Sequence, residues 1–183
     1  RWVPKIVAVC KSTPQLAPYM KLLEDWDYTV DIHSSAATVF NYFYYLMMEN
    51  TLKDEVGQEM WEKGLGQEYL YYIPDQALTR IIDDLSNSLY DDQATPGVRE
   101  NQVDIILKSM DQTISYLVQH LGKDTFKWQW GLVHQMHFKH PLGGKLPFLN
   151  LPPIATSGSH HTINSGFWTP KQPFEMTSGG VIR

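Results

Sequence analysis

Between Trp128 and Asn164 the chain gathers the side chains best suited to chemistry. His134, His137 and His140 recur at a spacing of three, and Ser159 precedes His160 and His161, so five of the seven histidines lie here. Imidazole is the commonest metal ligand, and three in a row invite a zinc site. In a strand, however, residues six apart share a face, and His137 points to the other side. His160 and His161 diverge in the same way, and no cysteine pair or HExxH-type element adds ligands. Gly158-Ser159-His160 sets a hydroxyl beside a base, as in an activated serine nucleophile. The surroundings are not the GxSxG elbow, and a serine in a Gly/Pro-rich loop is more often a turn residue. Asp83-Asp84 and Asp91-Asp92 are paired carboxylates beside helix ends, where such pairs are usually solvated. The Tyr and Trp clusters have faces that stack on a sugar or a base, but at helical spacing they read as core. These residues form no self-contained active site.

The elements that must position them are mostly helical. Val3 to Cys10 reads as a helix with Pro4 in its first turn. Ser12 or Thr13 is a candidate cap for a second helix, with Pro14 at its first position and a stripe through Leu16, Tyr19, Met20, Leu23 and Trp26. Ser34 and Ser35 can cap a long helix reaching about Leu52. It is apolar nearly all round, as befits a helix sandwiched between layers. After an interrupted stretch with Gly57, Gly64 and Gly66, Asp75 is the expected cap of a helix carrying Leu78, Ile81, Ile82 and Leu85. Thr95 and Pro96 are expected to open the clearest helix, whose stripe runs from Val103 to Leu121, with His120 and Gly122 at its stop. From Trp128 the period changes to two. It predicts strands over Leu132 to Phe138, His161 to Phe167 and Phe174 to Ile182, separated by a Pro/Gly-rich loop. The expected class is α+β and predominantly helical: a helical part over residues 1–125, then a short β-rich segment over 126–183.

Composition narrows the function classes. The chain has 183 residues, 43% hydrophobic and 19% charged, enough for one domain with a sizeable core. Fifteen basic residues against twenty acidic ones give a net charge of −5. With no basic stripe, that argues against nucleic acid as a partner. No apolar run approaches the ~20 residues that span a bilayer, so no membrane partner is expected. The segment RWVPKIVAVCKSTPQ lacks the length and the cleavage site of a secretory signal. Cys10 is the only cysteine, so no internal disulfide forms, and beside Val7 and Val9 it reads as a buried apolar residue. The chain opens on Arg1 and stops at Arg183 inside a strand-like run, which suggests a fragment of a longer polypeptide.

One string is similar to something known. W-x-W-G-x-x-H-x-x-x-F-x-H-P-L, Trp128 to Leu142, resembles the late part of the penicillin acylase (penicillin amidase) family. So does the later G-x-x-x-T-x-N at Gly158, Thr162 and Asn164. Weaker likeness runs from Leu22 to Phe40, where Leu23, Trp26 and Asp27 match an L-x-x-W-D pattern. The resemblance covers the chain in order from about Leu22 to Arg183 and is vaguest over residues 53–125. It implies an N-terminal-nucleophile hydrolase that cleaves amide bonds in penicillins, cephalosporins, acyl-homoserine lactones and related acyl compounds. In such enzymes autocleavage exposes a Ser whose own α-amino group is the base, a design that needs no His and no metal.

The same resemblance places the nucleophile and the oxyanion-hole Asn upstream of the matched region. Gly158-Ser159 is followed by His-His-Thr-Ile and lies inside the late motif, so it is not the autocleavage site. No catalytic residue is therefore assigned to this segment, and no cofactor. Any calcium in the parent protein would have its ligands upstream. Trp128, Trp130, His134, Phe138, His140, Thr162 and Asn164 are expected to be structural. The helices would cover the hydrolase core and shape the acyl pocket, and the tail strands would pair with strands near the nucleophile. The implied partners are the remainder of the parent chain and a small acyl-amide substrate. Many members are periplasmic or secreted, but this segment carries no address of its own. Two other readings stay open: a free-standing helical binding module and a small His-based metalloprotein.

Overall fold

The computed structural model describes residues 1–66, 70, 72–138 and 140–164. It is mostly helical, with one two-stranded ladder among the described residues, and so has the expected α+β class. The central element is α3, Ser35–Val56, capped by the Ser34 hydroxyl, which accepts from the Ala37 N–H at 3.1 Å. Tyr42, Phe43, Tyr44, Tyr45, Met47 and Met48 are all buried, so this helix has no polar face through its middle. It packs against α6, Gln102–Leu121, and against α2, Ala17–Glu24, and α5, Tyr72–Ile81. Helix α1, Trp2–Cys10, lies on α2 and α6. The short α4, Gln58–Met60, continues as a π-helical turn over Trp61–Leu65 that drives Trp61 fully into the core.

Several helices begin later or earlier than the local signals suggest, for identifiable reasons. Helix α2 starts at Ala17 rather than Pro14. Pro18 has no N–H and its ring blocks a preceding turn, so it is tolerated only where the helix begins, as it does here. Thr13 instead closes a turn by accepting from the Leu16 and Ala17 amides through its carbonyl. Helix α6 starts at Gln102 rather than Pro96. Gly97 has φ +89°, so the backbone cannot continue as a helix from Pro96, and the Thr95 hydroxyl donates to Glu100 at 2.6 Å within that turn. The cap is Asn101, which accepts from the Val103 N–H while the Asp104 carboxylate accepts from the Asn101 N–H, a reciprocal capping box. Helix α5 begins at Tyr72, with Pro74 and Asp75 inside its first turn.

The tail differs most from the period-two reading. Residues Trp130–Val133 form a single helical turn, α7, and only Gln135–Met136 (β1) pair with Ile154–Ala155 (β2), antiparallel. Alternation fails at its centre because the neighbours Val133 and His134 are both buried. The backbone there is already committed elsewhere: the Trp130 and Gly131 amides donate to Ser34 O and Ile32 O, at 3.2 and 2.8 Å. Gly131 is needed at that crossing, since a Cβ would stand 2.9 Å from both Ala155 Cβ and Ile32 Cβ. The expected second strand begins instead as a turn over residues 160–164, and its remainder, like the third strand, lies outside the described residues. Trp128, Trp130 and Val133 join the same core cluster as the helices.

Candidate functional site

Trp128 follows the stop of α6 and turns back onto it. Its indole Nε1 donates to Gly122 O at 2.8 Å, and its ring stacks on Tyr19 of α2 at 5.3 Å. Trp130 donates through Nε1 to Gly158 O at 2.8 Å. The His134 ring lies parallel to Trp130 at 4.7 Å and contacts Thr156 O through Nδ1 at 2.6 Å. A carbonyl only accepts, so Nδ1 carries the proton. The Thr156 N–H donates to His134 O at 3.0 Å, which closes a two-way lock between α7 and the second strand.

Gly158, Thr162 and Asn164 build the receiving end of that lock. Gly158 has φ +94°, and its N–H donates to Val30 O at 2.8 Å. A Cβ at this position would sit 1.9 Å from Asn164 O, so only glycine fits. The Thr162 hydroxyl accepts from the Ser159 N–H at 2.9 Å and lies 2.8 Å from Asn164 O, while Asn164 Nδ2 donates to Ser157 O at 2.7 Å. The motif residues therefore meet in one turn, which explains their spacing.

Phe138 and His140 fall apart from this junction. Both are exposed: Phe138 O accepts from the Leu151 N–H at 3.2 Å, and the His140 N–H donates to Asn150 Oδ1 at 2.9 Å. His134 thus faces the core while His140 faces outward. Among the described residues no three His, Cys, Asp or Glu side chains gather closely enough to hold a metal ion.

Sequence reasoning missed one grouping. Tyr44 of α3 donates its hydroxyl to Asp75 Oδ1 at 2.7 Å, and His161 Nε2 lies 3.3 Å from the same oxygen. The Tyr44 and His161 rings meet edge-on at 6.0 Å. Burial pushes the Asp75 carboxyl up, but hydrogen bonds from His161 and Tyr44, with the charges of His161 and His160, outweigh it and leave it below its ordinary value. Burial raises the Tyr44 hydroxyl, and the Asp75 charge adds to that. His160 is pushed down to about 3 by burial first, then by His161 and His134, so its imidazole is neutral at pH 7. Tyr44 and Asp75 stand 31 residues apart and His161 lies 86 beyond, so no local spacing announces the cluster. Chemically it is a carboxylate that orients a half-exposed imidazole. A cleft of about 560 Å³ between α3, α6 and the loop at Asp92 is lined by other residues, among them Glu49, Lys53, Asp54 and Lys108.

Comparison with known proteins agrees with the motif. The sequence profile of the penicillin amidase family matches residues 1–183. An acyl-homoserine lactone acylase QuiP of Pseudomonas fluorescens strain Pf0-1 is 28% identical over 153 residues, covering 82% of this chain and 18% of that protein. The QuiP of strain Pf-5 is 26% identical over 168 residues, covering 90% of this chain and 20% of that protein. The chain therefore spans about a fifth of the length of these curated relatives. With the whole of its length matched by the family profile, this chain belongs to the penicillin amidase family.

Proposed function

We propose that residues 1–183 are a C-terminal portion of an acylase that hydrolyses amide bonds of acylated small molecules, with penicillins, cephalosporins and acyl-homoserine lactones as the substrate class. The observation that carries this reading is the family match along the entire chain. The names of the two relatives point to the same chemistry. In this reading the nucleophile is a Ser freed by autocleavage upstream of Arg1. Its α-amino group takes the hydroxyl proton as the oxygen attacks the amide carbonyl. This segment contributes no catalytic group and no cofactor ligand, and any calcium belongs to upstream residues. The helices serve as scaffold and part of the acyl-pocket wall. Trp128, Trp130, His134, Thr162 and Asn164 fix the tail by the hydrogen bonds and stacking described above, and Phe138 and His140 shape the exposed loop. The test is mass spectrometry of the purified parent protein. Two polypeptides are expected, the larger beginning with Ser and containing these residues; a single uncleaved chain that still turns over substrate would overturn the proposal.

A further inference from the structure

The described residues between Phe138 and Ile154 combine internal order with outward-facing apolar side chains. Its ends are tied by the Leu151 N–H to Phe138 O bond and by the pairing of Met136 with Ile154. Inside it, Asn150 Oδ1 accepts from the His140 N–H, His140 Nδ1 accepts from the Leu142 N–H at 3.1 Å, and the Leu142 carbonyl accepts from the Lys145 and Leu146 amides. Gly143 completes the closure, since a Cβ there would lie 1.8 Å from Asn150 Oδ1. These polar groups are thus used within the loop. Phe138, Leu142, Leu146, Phe148, Leu151 and Ile154 are left exposed, Phe148 by 78%. Six large apolar side chains left exposed within one short stretch are more than the singly scattered ones that need no explanation.

We infer that this loop is a docking face covered by an apolar segment of the same polypeptide lying outside residues 1–183. The inference rests on the reading of the chain as part of a longer acylase. About four-fifths of the matched relatives' length lies beyond the region aligned with this chain, so the occupant need not be a separate protein. The loop's own hydrogen bonds hold it in the docked shape beforehand, so little ordering entropy opposes the contact.

Thiol labelling of the full-length parent protein tests this. Phe148→Cys, Leu151→Cys and Ile154→Cys are made singly on a background whose other reactive cysteines are replaced, and each is labelled with a maleimide natively and in denaturant. At least tenfold slower native labelling at all three positions is expected, unchanged on hundredfold dilution. Native rates within about threefold of the denatured rates would overturn the docking face, and protection that disappears on dilution would assign it to a second copy and overturn it equally. Acyl-amide turnover is measured separately. Protection without turnover supports the face and removes only the amidase reading, whereas rapid labelling with normal turnover removes only the face.

Discussion

The helical residues 1–125 and the tail from 126 to 164 are held in place by different forces. The helices are fixed by apolar side chains closing on α3, where burial runs through consecutive positions. Past Trp130 the tail is fixed chiefly by hydrogen bonds to backbone carbonyls: Trp130 to Gly158, His134 to Thr156, Gly158 to Val30. Exposure differs accordingly. Among the described residues, nine exposed large apolar side chains fall in residues 126–164 and seven in residues 1–125, although the tail is less than a third as long. A region that leaves so much apolar surface open gains its order from polar contacts, and those depend on position rather than on area.

The contrast can be broken by mutation. The largest effect belongs to the helical part: Phe43→Ala, at a fully buried position, should cost about 3–5 kcal/mol in denaturant unfolding of the 183-residue chain. A smaller, local loss is expected from Trp130→Phe, which keeps much of the ring but leaves Gly158 O unpaired, at roughly 1–3 kcal/mol. Hydrogen exchange should then speed up at residues 157–164 and stay unchanged in α6; equal loosening of both would mean that the two parts are held alike. Asn101→Ala removes the capping box of α6 and should cost about 1 kcal/mol, confined to the start of that helix.

The smallest effect is pH-dependent and belongs to the contact between the two parts. The Asp75 carboxyl is held below its ordinary value, so the stability it contributes is present above about pH 4 and lost as pH falls through the lowered value. In Asp75→Asn the unfolding midpoint should fall less on acidification, read from about pH 5 to about pH 2. An unaltered acid profile would show that the His161–Asp75 contact does not help hold the tail to the helices.

The same contrast explains what the sequence discloses. Helices driven by burial announce themselves through period: the stripe from Ile106 to Leu117 and the all-round apolar α3 are visible in residue order, as is the stop at Gly122. Their starting points are less visible, because Thr95 is a good cap by type but Gly97, at φ +89°, turns the chain out of a helix, and Pro18 overrides Pro14. The tail is legible only as a motif. Its alternation suggests a long strand, whereas Gly131 and Trp130 bind the chain ahead of α3 and leave β1 with two residues. The residues of W-x-W-G-x-x-H and G-x-x-x-T-x-N can be quoted from the sequence, but their meeting across 28 residues at Trp130 and Gly158 emerges only on folding. Tyr44, Asp75 and His161 come from three distant segments and leave no local trace.

The proposal on which the rest depends is that this chain is the scaffold part of a longer amide hydrolase whose nucleophile lies upstream. Turnover of an acyl-homoserine lactone, measured under one set of conditions for the full parent protein and for residues 1–183 alone, tests it most directly. Hydrolysis by the parent with none by the isolated chain is the expected result; clear hydrolysis by residues 1–183 alone would contradict it.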